Sequence, residues 1–247
     1  MLRGPQNLSD AVRAVRARIA AAAASCGRNA DSITLVAASK SQPAAALAAA
    51  AHAGIADFGE SYVQEALAKM DALGQSEPAD AAAGPPGFPP VTWHFIGRLQ
   101  ANKTRPVAER FAWVHGVDRL RIAERLSAQR PYHAPPLNVC IEVSLAGEGT
   151  KGGATPDGVE ALASAIASLP RLRLRGLMCL PPAEEAQDAQ RRWFAALRRL
   201  FERLNSGGAR LDTLSMGMSA DFEAAVLEGA TCVRIGTAIF GPRPDAR

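Results

Sequence analysis

Lys40 has the setting that most invites chemistry, because it directly follows the apolar run Ile33-Thr34-Leu35-Val36-Ala37-Ala38-Ser39. An amine beside apolar walls and other cations loses its proton more readily than one in water, and the neutral amine is the form that condenses with a carbonyl carbon to a Schiff base. The plain alternative is a solvated lysine in a loop. A second signal lies near the other end of the chain, in Ser215-Met216-Gly217-Met218-Ser219 and then Arg234-Ile235-Gly236-Thr237. Small residues after a strand let backbone N–H groups approach an anion, and Ser219 is placed to start a helix whose N-terminus favours negative charge. Each turn alone is also what a tight connection or helix cap needs. Arg234 sits in an otherwise apolar run, so its charge has to be paired or put to use if it points inward. An outward or salt-bridged strand arginine is the alternative. A third cluster, Trp93 to Lys103, contains His94, which reads as a satisfied core histidine, while Gln100, Asn102 and Lys103 fall where a loop turns into a helix and serve there as caps. The other histidines (His52, His115, His133) are scattered, and no metal-ligand spacing, Ser-His-Asp order or Gly-rich nucleotide loop stands out.

These groups need a frame that brings residues 40, 219 and 234 together. Strand-like runs at 33–38, 56–59, 91–96, 113–117, 137–143, 172–178, 213–216 and 232–235 alternate with helix-like runs at 44–53, 62–73, 102–110, 119–129, 156–168, 184–204 and 220–228, after a first helix at 8–24. Continuous apolar strands argue for a parallel sheet covered by helices. Eight such strands close a barrel, and the polar signals fall just after strands, on the face where barrels of this kind place their sites. The loops after strands seven and eight are its recurrent phosphate site. The reading is therefore an α/β protein: one (β/α)8 TIM barrel over residues 1–247 with an extra N-terminal helix. Thr155 is expected to cap a helix whose first residue is Pro156. The stretch 76–90, rich in Ala and Pro, reads as a surface loop. From the residues alone, a barrel lysine with a phosphate site also suits a Schiff-base aldolase acting on a sugar phosphate.

Composition narrows the class. With 48% hydrophobic and 21% charged residues, the 247-residue chain reads as an ordinary globular protein. Its net charge of +4 raises nucleic acid as a partner, but the arginines lie along amphipathic runs such as 191–203 and no aromatic RNA-binding motif accompanies them, so none is expected. The four cysteines form no CxxC pair and read as buried reduced thiols. No apolar window suits a signal peptide or a bilayer span, which makes a cytoplasmic protein without a membrane partner the expectation.

Taken together, Leu35 to Lys40, Phe58-Gly59-Glu60-Ser61-Tyr62-Val63-Gln64-Glu65, His94 to Lys103, Arg175-Gly176-Leu177-Met178, Leu214 to Ser219 and Val233 to Gly241 resemble the pyridoxal phosphate homeostasis protein family, whose fold is similar to the barrel domain of alanine racemase. The resemblance runs over nearly the whole chain. It implies that pyridoxal 5′-phosphate (PLP) is the cofactor, held as a Schiff base on Lys40, with Arg234 facing the pyridine nitrogen and Ser219, Gly236 and Thr237 holding the phosphate. Ser61, Met216 and Lys151 join the implied cofactor site. Ser61 stands where the family usually has Asn, and the proline-rich loop looks longer than is typical. An arginine at the ring nitrogen can only donate and cannot protonate it, so the cofactor would be a poor electron sink.

The family implies a monomeric PLP carrier in vitamin B6 homeostasis that supplies PLP-dependent apo-enzymes, rather than an enzyme. Racemases add a second domain that provides a tyrosine base, and this sequence stops soon after the eighth strand with only Tyr62 and Tyr132 available. The alternative is a PLP-dependent amino-acid racemase, or another PLP enzyme, of low activity.

Overall fold

Eight short runs become eight parallel strands in the computed structural model, which describes residues 5–75, 87–146 and 152–242. They are β1 (Thr34–Ala38), β2 (Asp57–Glu60), β3 (Thr92–Phe95), β4 (Trp113–Val117), β5 (Leu137–Glu142), β6 (Leu172–Met178), β7 (Thr213–Ser215) and β8 (Cys232–Ile235). Each pairs with the next, and β8 closes on β1 with Val36 opposite Arg234. Parallel neighbours cannot be joined by a tight hairpin, so a crossover segment follows each strand. The helices in these segments are α2 (Ala44–His52), α3 (Val63–Ala72), α4 (Thr104–Arg110), α5 (Leu120–Gln129), α6 (Val159–Ala167), α7 (Gln187–Ser206), α8 (Phe222–Leu227) and the single turn α9 (Thr237–Phe240). The barrel read from the sequence is the one observed, with its extra helix α1 (Pro5–Ser25) packed against α2, α8 and α9 through Leu8, Val12, Val15 and Ile19. Among the described residues no helix is long and apolar enough to cross a membrane.

The strands are not apolar throughout. Leu35 and Ala37, Trp93 and Phe95, Leu214, and Val233 and Ile235 pack into the hydrophobic layer under the helices. The residues between them line cavities at the two mouths of the barrel: Thr34, His94, His115, Thr213 and Cys232 at the end where strands begin, and Ala38 and Arg234 at the end where they finish. Successive strand side chains point to opposite faces, so one strand feeds both an apolar layer and a polar lumen.

Several boundaries differ from expectation. Helix α6 starts at Val159 rather than Pro156, because the Gly158 N–H donates to the Thr155 carbonyl and residues 155–158 form a turn first. The run at 102–110 divides into a 3-10 turn, Ala101–Lys103, and α4, with Pro106 in the first turn, where its missing N–H costs nothing. Helix α8 starts at Phe222, so Ser219 does not open it, and α9 had not been expected. Of the proline-rich stretch, 76–86 lies outside the described residues.

Candidate functional site

Lys40 leaves the end of β1 on a segment fixed from both sides. Its neighbour Ser39 is fully buried, gives its N–H to the Gly59 carbonyl (2.9 Å) and its hydroxyl to Glu60 Oε1 (2.6 Å). Lys69, on α3, spends its three donors behind this segment: on the Ser39 carbonyl (2.8 Å), Glu60 Oε1 (2.7 Å) and Glu65 Oε1 (2.5 Å). Glu65 Oε1 also accepts the N–H of Ser41, whose φ of 64° is left-handed. A non-glycine residue in that region costs about 1–3 kcal/mol and persists only where its surroundings hold it. The Lys69 clamp therefore sets the direction in which Lys40 leaves the strand. Burial raises the Glu60 carboxyl above its ordinary range, with Lys69 and the Ser39 hydroxyl pulling the other way.

The facing rim is built by the loops after β7 and β8. Gly217 has a φ of 94°, and a Cβ there would meet the Ala225 Cβ at 2.6 Å and the Phe222 Cα at 2.9 Å, so the chain turns against α8 only with glycine. Asp221 Oδ1 accepts the Met218 N–H (2.6 Å), and Ser219 Oγ accepts the Ala238 N–H (3.2 Å). Ser219 is thus tied to the first turn of α9 rather than of α8. On β8, Arg234 is 3% exposed and gives Nη1 to Ser215 Oγ (2.6 Å) and Nη2 to the Cys179 carbonyl (2.9 Å).

Between the rims lies a cavity of about 250 Å³ lined by Lys40, Ser219, Arg234, Gly236 and Thr237, five of the residues singled out by sequence. Two others, Ser61 and Met216, are not among its lining residues. Ser61 lines an adjoining groove of about 430 Å³ that Lys40, Ile96 and Leu180 share with the cavity. Met216 is fully buried in the apolar layer, and the methionine that reaches the cavity is Met218, two residues on and therefore past the strand's end. Lys151 lies outside the described residues.

Some participants were not legible in the sequence. Gln42, two residues after Lys40, lines the cavity, is 4% exposed and leaves Oε1 buried without a partner. No motif announces it, since its role follows from the left-handed turn at Ser41. Lys69 and Glu60 lie nine residues apart, and only the folded β2–α3 segment brings both to Ser39. His94, read as a satisfied core histidine, is one: it is 2% exposed and both ring nitrogens have partners. Burial, together with His94 and Arg234, holds His115 well below the ordinary histidine range. Burial also pushes the Cys232 thiol up to about 11 and that of Cys179 to about 12, so both are unreactive thiols at neutral pH. Cys26, by contrast, is exposed.

The alanine racemase N-terminal domain family matches residues 11–244. The pyridoxal phosphate homeostasis protein of Pseudomonas aeruginosa is 53% identical over 236 residues, 96% of each chain, and that of Escherichia coli is 48% identical over 229 residues, 93% of this chain and 94% of that one. Among solved structures, PipY of Synechococcus elongatus with PLP bound is 33% identical, with a TM-score of 0.80 over 95% of this chain and 100% of its own. The chain therefore belongs to the pyridoxal phosphate homeostasis protein family, built on the barrel of the alanine racemase N-terminal domain.

Proposed function

We propose that this protein binds PLP as a Schiff base on Lys40 and acts as an intracellular carrier of that cofactor without catalytic turnover. The observation that carries the reading is the meeting of Lys40, Ser219, Arg234, Gly236 and Thr237 around one cavity. Lys40 Nζ condenses with an aldehyde carbon and one water leaves. The hydroxyls of Thr237, the first residue of α9, and of Ser219, which is tied to the same turn through the Ala238 N–H, suit a phosphate in the position that barrels reserve for one. The buried, unpartnered Gln42 oxygen gives the cavity a further polar contact for a hydroxylated ring. Arg234 donates to the ring nitrogen and cannot protonate it, which supports a stored rather than an activated cofactor. So do the names of the two bacterial relatives above, both homeostasis proteins.

The groove beside the cavity supports passing PLP to apo-enzymes. Tyr62, Leu180 and Met218 are exposed at its edge and at the cavity's (57%, 47% and 39%), and an apolar rim suits contact with another protein. Tyr62 is also the feature that keeps a racemase reading in view, because it lines the groove next to Lys40. Incubation of the PLP-loaded protein with amino acids in deuterated buffer separates the two. No α-hydrogen exchange is expected. Exchange with turnover that disappears in Lys40→Ala would overturn the carrier reading.

The phosphate assignment has its own test. Thr237 is exposed, so Thr237→Val spares the fold but removes one hydrogen bond to a charged group. A rise of about tenfold in the PLP dissociation constant is expected, with an unchanged absorption maximum. Unchanged affinity counts against Thr237 as a phosphate ligand.

A further inference from the structure

Arg234 is held by more than its immediate neighbours. Its acceptor Ser215 Oγ lies 2.7 Å from His115 Nδ1, His115 Nε2 lies 2.9 Å from His94 Nδ1, and His94 Nε2 lies 2.9 Å from Asp57 Oδ1. The chain crosses the lumen from Asp57, half-buried at the start of β2, to Arg234 in the floor of the cofactor cavity. His94, His115 and Ser215 are 2%, 0% and 0% exposed, so the middle of the chain is buried.

We propose that Asp57, His94, His115 and Ser215 are positioning residues for Arg234, joined in a hydrogen-bond chain that runs one way through the barrel. The two ends determine the direction. The Asp57 carboxylate accepts, so His94 Nε2 carries the hydrogen. A neutral His94 then accepts at Nδ1, His115 donates from Nε2 and accepts at Nδ1, and the Ser215 hydroxyl donates to it. Ser215 Oγ is left with its lone pairs for the guanidinium, which only donates. Depression of the His115 pKa agrees with a ring that stays neutral.

Such a chain polarises link by link, so Ser215 becomes a stronger acceptor than an isolated hydroxyl. It also keeps the Asp57 carboxylate at the far mouth. Arg234 is thereby oriented through the chain by a carboxylate that stays outside the cavity. A direct arginine–carboxylate pair would have fixed the side chain equally well but placed an anion beside the cofactor. The proposed consequence for PLP rests on the carrier reading above, whereas the chain itself rests on the lumen geometry alone.

The test uses full-length protein with 15N-labelled histidine, and long-range 1H–15N spectra recorded before and after PLP is added. Both His94 and His115 are expected as the Nε2–H form. Asp57→Asn is expected to move the His94 and His115 signals together, while Ser215→Ala moves His115 and raises the PLP dissociation constant about tenfold. Ser215→Thr restores the hydroxyl and with it the affinity, an outcome that a purely steric role for Ser215 does not produce. A hydrogen on His115 Nδ1, or two hydrogens on His94, overturns the chain whatever the affinity. So does a Ser215→Ala protein that is folded and binds PLP as the parent does. Failure of the unaltered protein to bind PLP sinks the carrier reading instead, and the histidine spectra then decide the chain on their own.

Discussion

Lys40→Ala is expected to abolish the visible Schiff-base band of the purified protein completely. The fold should be untouched, because Lys40 is half-buried in a turn and the groups that hold that turn are Ser39, Ser41 and Lys69. Residual PLP should still bind, since Ser219, Thr237 and Arg234 are independent of the covalent link, but dialysis should remove it. Lys40→Arg separates charge from covalency: it keeps a cation in the cavity but has no amine to condense. Its spectrum should match that of Lys40→Ala. A visible band surviving in either variant would move the covalent site elsewhere.

The second large effect belongs to the clamp. Lys69→Met removes the only cation among the described residues that is hydrogen-bonded to Glu60, which is fully buried and already has one oxygen without a partner. Breaking one side of a buried pair costs about 3–5 kcal/mol, because the remaining charge is uncompensated. For a chain of this size that corresponds to a fall of roughly 10 °C in melting temperature. The deficit should depend on pH in a defined direction. The Glu60 pKa is raised in the folded state, so folded protein binds that proton more tightly than unfolded protein does. Stability from this group is therefore fullest below the unfolded carboxyl pKa and declines as pH rises through the folded one. Without Lys69 the folded value moves higher still, so the gap between variant and parent should narrow on going from pH 8 to pH 5. Adding Glu60→Gln should recover part of the loss at pH 8. Denaturation followed at both pH values checks this, and a deficit equal at the two would show that Lys69 acts through its aliphatic stem alone.

What the sequence revealed and what it hid follow from the distance over which each feature is determined. That Lys40, Arg234, Gly236 and Thr237 line one cavity is legible because barrels place their sites at the C-terminal ends of their strands, and strand ends can be read locally. The place of Ser219 is legible only in part. A serine before a helical run reads as that run's cap, yet the turn 219–221 intervenes and its hydroxyl bonds to α9 instead. Met216 was misplaced by the same one-dimensional view, which does not distinguish the apolar face of β7 from the loop beyond it. The lumen chain was invisible. Asp57, His94, His115 and Ser215 come from four different strands, and only closure of the sheet brings them into line. The Lys69 clamp was hidden likewise, since a lysine on an amphipathic helix reads as solvated until its ammonium is seen against the Ser39 carbonyl and Glu60.

The most direct test of the account is to reduce the purified, coloured protein with borohydride and map the modified peptide. A single pyridoxyl phosphate adduct on Lys40, formed before any substrate is added, is the result expected. An adduct on Lys103 or another lysine, or a protein that takes up PLP but yields no reduced adduct, would contradict it.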